Sequence, residues 1–131
     1  MNITKIYVVG GEGAINKKIE TLLGNYGTTI RIAGRSRYET SVAVAEAFSL
    51  NTKIAVLTYS ENFPDGICGG PLAAVLKAPL LLTKTANITS ADNFIQKRQI
   101  ADGYVLGGTK LISDDAVRKI FNLKISDQIT K

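Results

Sequence analysis

The chain has 131 residues, of which 16 are Lys or Arg and 11 are Asp or Glu, for a formal charge of +5; 45% are apolar, one is Cys, and none is His or Trp. That length can bury a core without disulfide or metal staples, and the balance of apolar and charged residues is that of a globular domain. Without His there is no Ser–His–Asp or Cys–His nucleophile, any metal site shrinks to carboxylates and one thiol, and Cys68 has no partner within the chain. No apolar run approaches the roughly 20 residues of a membrane-spanning helix, and Met1-Asn2-Ile3-Thr4-Lys5 is expected to lead directly into a strand, with no signal peptide expected in the sequence as given.

Lys5-Ile6-Tyr7-Val8-Val9 reads as a short buried strand closed by Gly10-Gly11. Ile15, Ile19, Leu22 and Leu23 then recur on one face of a helix, with Asn16 as its N-cap and Gly24 and Gly27 ending it. Residues 28–33 form a second strand. Ser36-Arg37-Tyr38-Glu39 has capping-box spacing, Ser36 capping and Glu39 reaching back to its amide, before a helix with Tyr38, Val42, Ala45 and Phe48 along one face. Strands are expected over 53–59 and 79–83, joined by a small-residue helix after Pro64-Asp65. Gly66, Gly69 and Gly70 are costly in a helix, which predicts close backbone approach or a broken first turn with Pro71 opening the regular part. Cys68, among small residues, reads as a packed structural thiol. A helix over 90–98 carrying Ala91, Phe94 and Ile95, a strand over 103–106 ending at Gly107-Gly108, and a Ser113-capped helix burying Val117, Ile120 and Phe121 complete the chain. Helices alternating with short Val/Ile/Leu runs are the pattern of parallel βαβ units, so the expected fold is α/β, a parallel sheet of about five strands with helices on both faces.

The chain also repeats itself. Tyr7-Val8-Val9-Gly10-Gly11 returns 97 positions later as Tyr104-Val105-Leu106-Gly107-Gly108, and Ile15-Asn16 returns as Ile112-Ser113. Leu123-Lys124-Ile125 echoes Ile30-Arg31-Ile32 at an offset of 93, one connection having lost four residues. Residues 1–131 thus read as a single domain holding one full repeat of 97 residues and the start of another.

At these motifs the chain resembles the cell wall-binding repeat 2 family of Gram-positive surface proteins. The matching stretches are Val8-Val9-Gly10-Gly11 with Ala14-Ile15, Arg31-Ile32-Ala33-Gly34 with Arg37-Tyr38-Glu39-Thr40, Asn62-Phe63-Pro64-Asp65, Pro71-Leu72-Ala73-Ala74, and Ala78-Pro79-Leu80-Leu81-Leu82-Thr83. The resemblance implies a non-catalytic anchoring module of Rossmann-like or Toprim-like fold, without cofactor. It further implies three copies, in tandem or as a homo-trimer, holding an anionic, phosphate-bearing wall glycopolymer at the cell surface. An exported protein needs a leader, so under this reading the chain is an excised piece. The family's Pro-Ile-Leu-Leu attachment motif corresponds to Pro79-Leu80-Leu81-Leu82. Ser36 stands where the family commonly has Asp, and Asp65-Gly66-Ile67-Cys68 where it has Asp-Ala-Leu-Ser.

In an all-parallel sheet the loops after the strands gather along one edge, where ligands of such folds bind. That edge collects residues 10–14, 33–37, 60–65 and 107–112. Arg31, Arg35 and Arg37 place three cations beside a helix start, suited to phosphate, although Arg31 can point to the opposite face and a solvated turn explains the cluster equally. Asn62 and Asp65 are further candidates for the polymer site, with helix capping as the plain alternative for Asp65. Leu80, Leu81 and Leu82 read as core, so the Pro79–Leu82 motif is expected to hold the fold or a subunit contact. Gly11-Glu12-Gly13-Ala14-Ile15-Asn16 begins like a dinucleotide fingerprint but lacks its third glycine. The alternative function is a Rossmann-like small-molecule or nucleotide binder, including an enzyme acting on a phosphorylated ligand. Nucleic acid is not expected as a partner, because the lysines are scattered and form no basic stripe with aromatics.

Overall fold

The structure is a computed structural model and describes residues 2–48, 53–124 and 129. Strands and helices alternate: β1 (Lys5–Val9), α1 (Lys17–Leu23), β2 (Thr28–Ile32), α2 (Arg37–Ala47), β3 (Ile54–Tyr59), α3 (Phe63–Leu76), β4 (Leu80–Thr83), α4 (Thr89–Arg98), β5 (Asp102–Leu106) and α5 (Asp114–Ile120). Among the described residues these strands pair in parallel, and the α/β class is as expected. The five strands among the described residues are divided, however: there β1 pairs with β2 alone, and β3 lies between β4 and β5 in a second sheet. A strand has two edges, and β4 and β5 take both of those of β3, leaving none for β1.

The core lies around β3, whose alternate side chains serve two layers. Ala55 and Leu57 pack with Leu81 of β4 against Ala45 of α2, Ala91, Phe94 and Ile95 of α4, and Ile120 of α5. Val56 turns the other way, toward Ala73, with Leu72, Leu76, Leu80 and Leu106 around it. Burying each of the larger side chains contributes about 1.5–3 kcal/mol.

The helix α3 runs unbroken through Pro71. A Cβ on Gly69 would lie 2.9 Å from Leu80 and 3.0 Å from Leu106, so close approach explains this glycine, whereas Gly66 and Gly70 meet open space. The sheet-facing stripe of α3 is Gly69, Leu72, Ala73 and Leu76. Cys68 lies off that stripe and is exposed, not packed as expected. The apolar face of α1 also differs from expectation: the helix has no buried residue, with Ile19 at 45% and Leu22 at 55% exposure, because two strands offer too little surface to cover it. Phe48, expected on the inner face of α2, lies at its C-cap, exposed, with its ring edge-on to Tyr7 at 5.0 Å.

The two Gly-Gly turns take one form. Gly10 and Gly107 have φ of 128° and 133°, a region that only glycine enters without strain. Ala14 and Ile15 donate their amides to the Gly11 carbonyl as Leu111 and Ile112 do to that of Gly108. Asn16 caps α1 by accepting from the Ile19 amide, and Ser113 caps α5 by accepting from that of Ala116. Leu123 and Lys124 follow α5 outside any regular element, and Ile125 lies outside the described residues.

Candidate functional site

The turn between β2 and α2 is clamped from both sides. Ser36 Oγ accepts from the Glu39 amide at 3.3 Å, while Glu39 Oε2 accepts from the Arg35 amide at 2.8 Å, one residue earlier than capping-box spacing predicts. The Thr40 hydroxyl accepts from the Gly34 amide at 3.0 Å and donates to the Ser36 carbonyl at 2.9 Å. A Cβ on Gly34 would fall 2.6 Å from the Glu39 carbonyl carbon, so no other residue allows this fit. The result is a fixed platform with the side chains of Arg35 and Arg37 both exposed. Arg37 Nη1 also donates to the Ser60 carbonyl at 2.8 Å, tying the platform to the end of β3.

Arg31 stands apart from them. Its Nε donates to Glu20 at 2.9 Å and its Nη1 to the Gly10 carbonyl at 2.6 Å, with the side chain only 15% exposed. Lys17 and Arg31 together hold the Glu20 carboxyl below its ordinary pKa. Arg31 braces β2 against the Gly10 turn and α1; it does not join the other two arginines.

Beside the platform opens a groove of about 870 Å³. The 10–14 loop, Arg35, Arg37 and α2 form one part, and Gly70 and Ala73 of α3 with Pro79, Leu80 and Leu82 form the other. Its lining is largely apolar, with Val9, Val44, Phe48 and Leu82 prominent. Of the residues expected at the site, Arg31, Asn62, Asp65 and Leu81 are not part of it. Leu81 is fully buried and Leu80, half-buried, packs against the Val56 layer of the core, whereas Leu82 is half-buried on the groove and belongs to neither core layer. Asn62 is the exposed N-cap of α3 and makes no side-chain capping bond. Asp65 sits in the first turn of α3, its Oδ2 3.4 Å from where a Cβ on Gly107 would stand. The single expected rim is therefore split: the 10–14 and 33–37 loops meet at the groove, and the 60–65 and 107–112 loops meet beyond β3 and β5. Arg37 links the two places.

A polar cluster at the second place carries no sequence motif. Glu61 accepts from the Lys84 ammonium and, at 3.0 Å, from the Tyr59 hydroxyl; the Ser60 hydroxyl donates to Tyr38 Oη at 2.9 Å. The Lys84 bond foremost, then that of Tyr59, lowers the Glu61 pKa, and Glu61 in turn raises those of Tyr59 and Lys84. No signal in the sequence marks it; it arises from strand register, β3 and β4 ending level with Tyr59 opposite Thr83, so that the residues that follow them meet. Among the described residues no group of three or more carboxylate or thiol side chains is placed to hold a metal ion.

Comparison with known proteins gives one direction. The sequence profile of Cell wall binding domain 2 (CWB2) matches residues 31–117. The chain is 28% identical over 128 residues to N-acetylmuramoyl-L-alanine amidase LytC of Bacillus subtilis (strain 168), covering 97% of this chain and 25% of that protein. It is 30% identical over 119 residues to Amidase enhancer of the same organism, covering 91% and 16%. Cwp8 from Clostridium difficile superposes with a TM-score of 0.74 at 26% identity, over 94% of this chain and 21% of that one. Cwp6 from the same organism has the same fold, with a TM-score of 0.71 at 24% identity over 93% and 20%. The chain spans a quarter or less of the length of these proteins. With the family profile covering most of its residues, the chain belongs to the Cell wall binding domain 2 family, a cell wall binding module of the cell surface.

Proposed function

We propose that this domain is a non-catalytic anchor that holds an anionic, phosphate-bearing wall polysaccharide non-covalently in the groove beside α2, with copies acting together in a threefold array. The observation that carries this reading is the pair Arg35 and Arg37, both exposed on the groove beside the N-terminus of α2. Guanidinium forks grip phosphate bidentately, and the helix start adds partial positive charge. The net charge of +5 draws a polyanion toward the surface, and the apolar lining gives sugar rings a face to lie on. No catalytic step is assigned: the chain has no His, and Tyr59, Glu61 and Lys84 are engaged with one another. A single site of this kind binds weakly and is sensitive to salt, so several copies on one polymer supply the avidity.

Sedimentation with purified walls tests the reading. Replacing Arg35 and Arg37 together by Gln is expected to weaken binding about tenfold or more at low salt, since hydrogen bonds to charged groups contribute about 1.5–3 kcal/mol each. The salt dependence flattens while helix content stays unchanged. Walls stripped of phosphate-bearing polymer should no longer retain the parent chain. Undiminished binding to stripped walls, or a double variant indistinguishable from the parent across a salt series, overturns the proposal.

A further inference from the structure

The groove beside α2 keeps its hydrogen-bonding side chains together, and those with capacity to spare are donors. Of the side chains that line it, Arg35, Ser36, Arg37, Thr40 and Ser41 carry nitrogen or oxygen; no carboxylate, carboxamide or phenol is among them. The Thr40 hydroxyl already accepts from the Gly34 amide and donates to the Ser36 carbonyl. The Ser41 hydroxyl donates to the Tyr38 carbonyl at 2.7 Å and accepts from the Leu82 amide at 3.0 Å. Ser36, which accepts from the Glu39 amide, keeps its proton to give, and it stands between the two arginines at the start of α2. Away from that end the wall is made by Val44, Phe48, Ala73, Ala78 and Leu82, which offer no side-chain partner to a polar ligand.

This division treats the two halves of a sugar phosphate differently. Ionised phosphate oxygens only accept, so an end made of donors suits them. A sugar hydroxyl both donates and accepts. Laid against the apolar wall it gives up water and meets no side-chain acceptor, and leaving a polar group unpaired costs more than making its bond would contribute. A hydrogen or methyl group at the same place gains apolar contact instead. Epimers differ only in the direction of one hydroxyl. Sharp discrimination of that kind needs polar groups of the site that the wrong ligand would leave unpaired, and this wall has no polar side chain to be left so.

We propose that the groove selects a phosphate-linked sugar by charge and apolar surface: it takes a deoxy sugar in preference to the hydroxylated parent and does not read hydroxyl configuration. Arg35, Arg37 and Ser36 hold the phosphate, and Val44, Phe48 and Leu82 receive the face of the ring from which a hydroxyl is missing. The inference rests on the wall-polymer reading of this groove and adds to it which sugars the groove accepts beside the phosphate.

The test titrates the full chain with four small anions, followed by NMR of the amides of residues 34–41 and the methyl groups of Val44 and Leu82. The probes are inorganic phosphate, galactose 1-phosphate, its epimer glucose 1-phosphate, and D-fucose 1-phosphate, which is galactose 1-phosphate without the 6-hydroxyl. Inorganic phosphate should move the amides beside Arg35 and Arg37 and leave the methyl groups in place. The glucose and galactose phosphates should bind within about twofold of each other, and the fucose phosphate about fivefold or more tightly than the galactose phosphate. Val44→Ser, which sets a hydroxyl on the wall, should bring the fucose-to-galactose ratio toward one; if that variant does not fold, the ratios in the parent decide alone. Equal binding of fucose and galactose phosphates, a clear preference between the two epimers, or an unchanged ratio in folded Val44→Ser overturns this proposal and leaves the anion site standing. Amides beside Arg35 and Arg37 that no phosphate moves overturn the wall-polymer reading, and this one with it.

Discussion

The Glu61 carboxylate takes hydrogen bonds from the Lys84 ammonium and the Tyr59 hydroxyl, and the three titrations follow from that arrangement. Its pKa is lowered, so its contribution to stability is present above the ordinary carboxylate value of about 4.3 and is lost as pH falls through the lower folded value. Those of Lys84 and Tyr59 are raised, so their contributions are present below about 10 and are lost as pH rises through the higher folded values. The groups are solvent-accessible, which keeps the effect on melting small and makes the titration itself the useful readout. In Glu61→Ala the Tyr59 ring, followed by NMR, should titrate with a midpoint lowered toward about 10. An unmoved midpoint would assign its perturbation to something other than Glu61. At this scale the sequence is ambiguous: Arg31, Arg35 and Arg37 look alike as letters, and only the position of Glu20 and the Gly10 carbonyl separates the brace from the exposed pair.

Among the elements, α3 tests how far composition can be read. Its run of small residues signals that something must come close, but glycines at 66, 69 and 70 cannot be ranked without knowing which face meets the sheet. Gly69 meets Leu80 and Leu106, and Gly66 meets nothing within 4 Å. Gly66→Ala should therefore stabilise the domain by about 0.5–1 kcal/mol, the helix preference of Ala over Gly. Gly69→Leu should cost about 1–3 kcal/mol through overpacking. Urea unfolding of the two variants measures both, and equal effects would contradict the facing assigned to α3. Periodicity has a similar limit at α1: Ile15, Ile19, Leu22 and Leu23 specify a helix that could bury one face, and say nothing of whether a surface exists to bury it against.

For the whole molecule, the alternation of strands and helices, their parallel direction and the positions of the strands are all legible, because each is encoded within a few residues. Which strand sits beside β3 is not, because β1 and β5 both end in a Tyr-Val run before Gly-Gly, Tyr7-Val8-Val9 and Tyr104-Val105-Leu106, and the letters do not say which of them β3 takes. The outcome divides the fold into a well-buried three-stranded part and a β1–α1–β2 part with little burial. A part with few buried contacts should open on its own, at a lower free energy than global unfolding. The Thr28 and Gly10 amides report the β1–β2 ladder, and the Val56 amide, bonded to the Pro79 carbonyl at 2.9 Å, reports the core sheet. Under native conditions the first two should exchange about tenfold to a hundredfold faster than the third, with a weaker dependence on added denaturant. Equal rates and equal denaturant slopes would make the chain one cooperative unit.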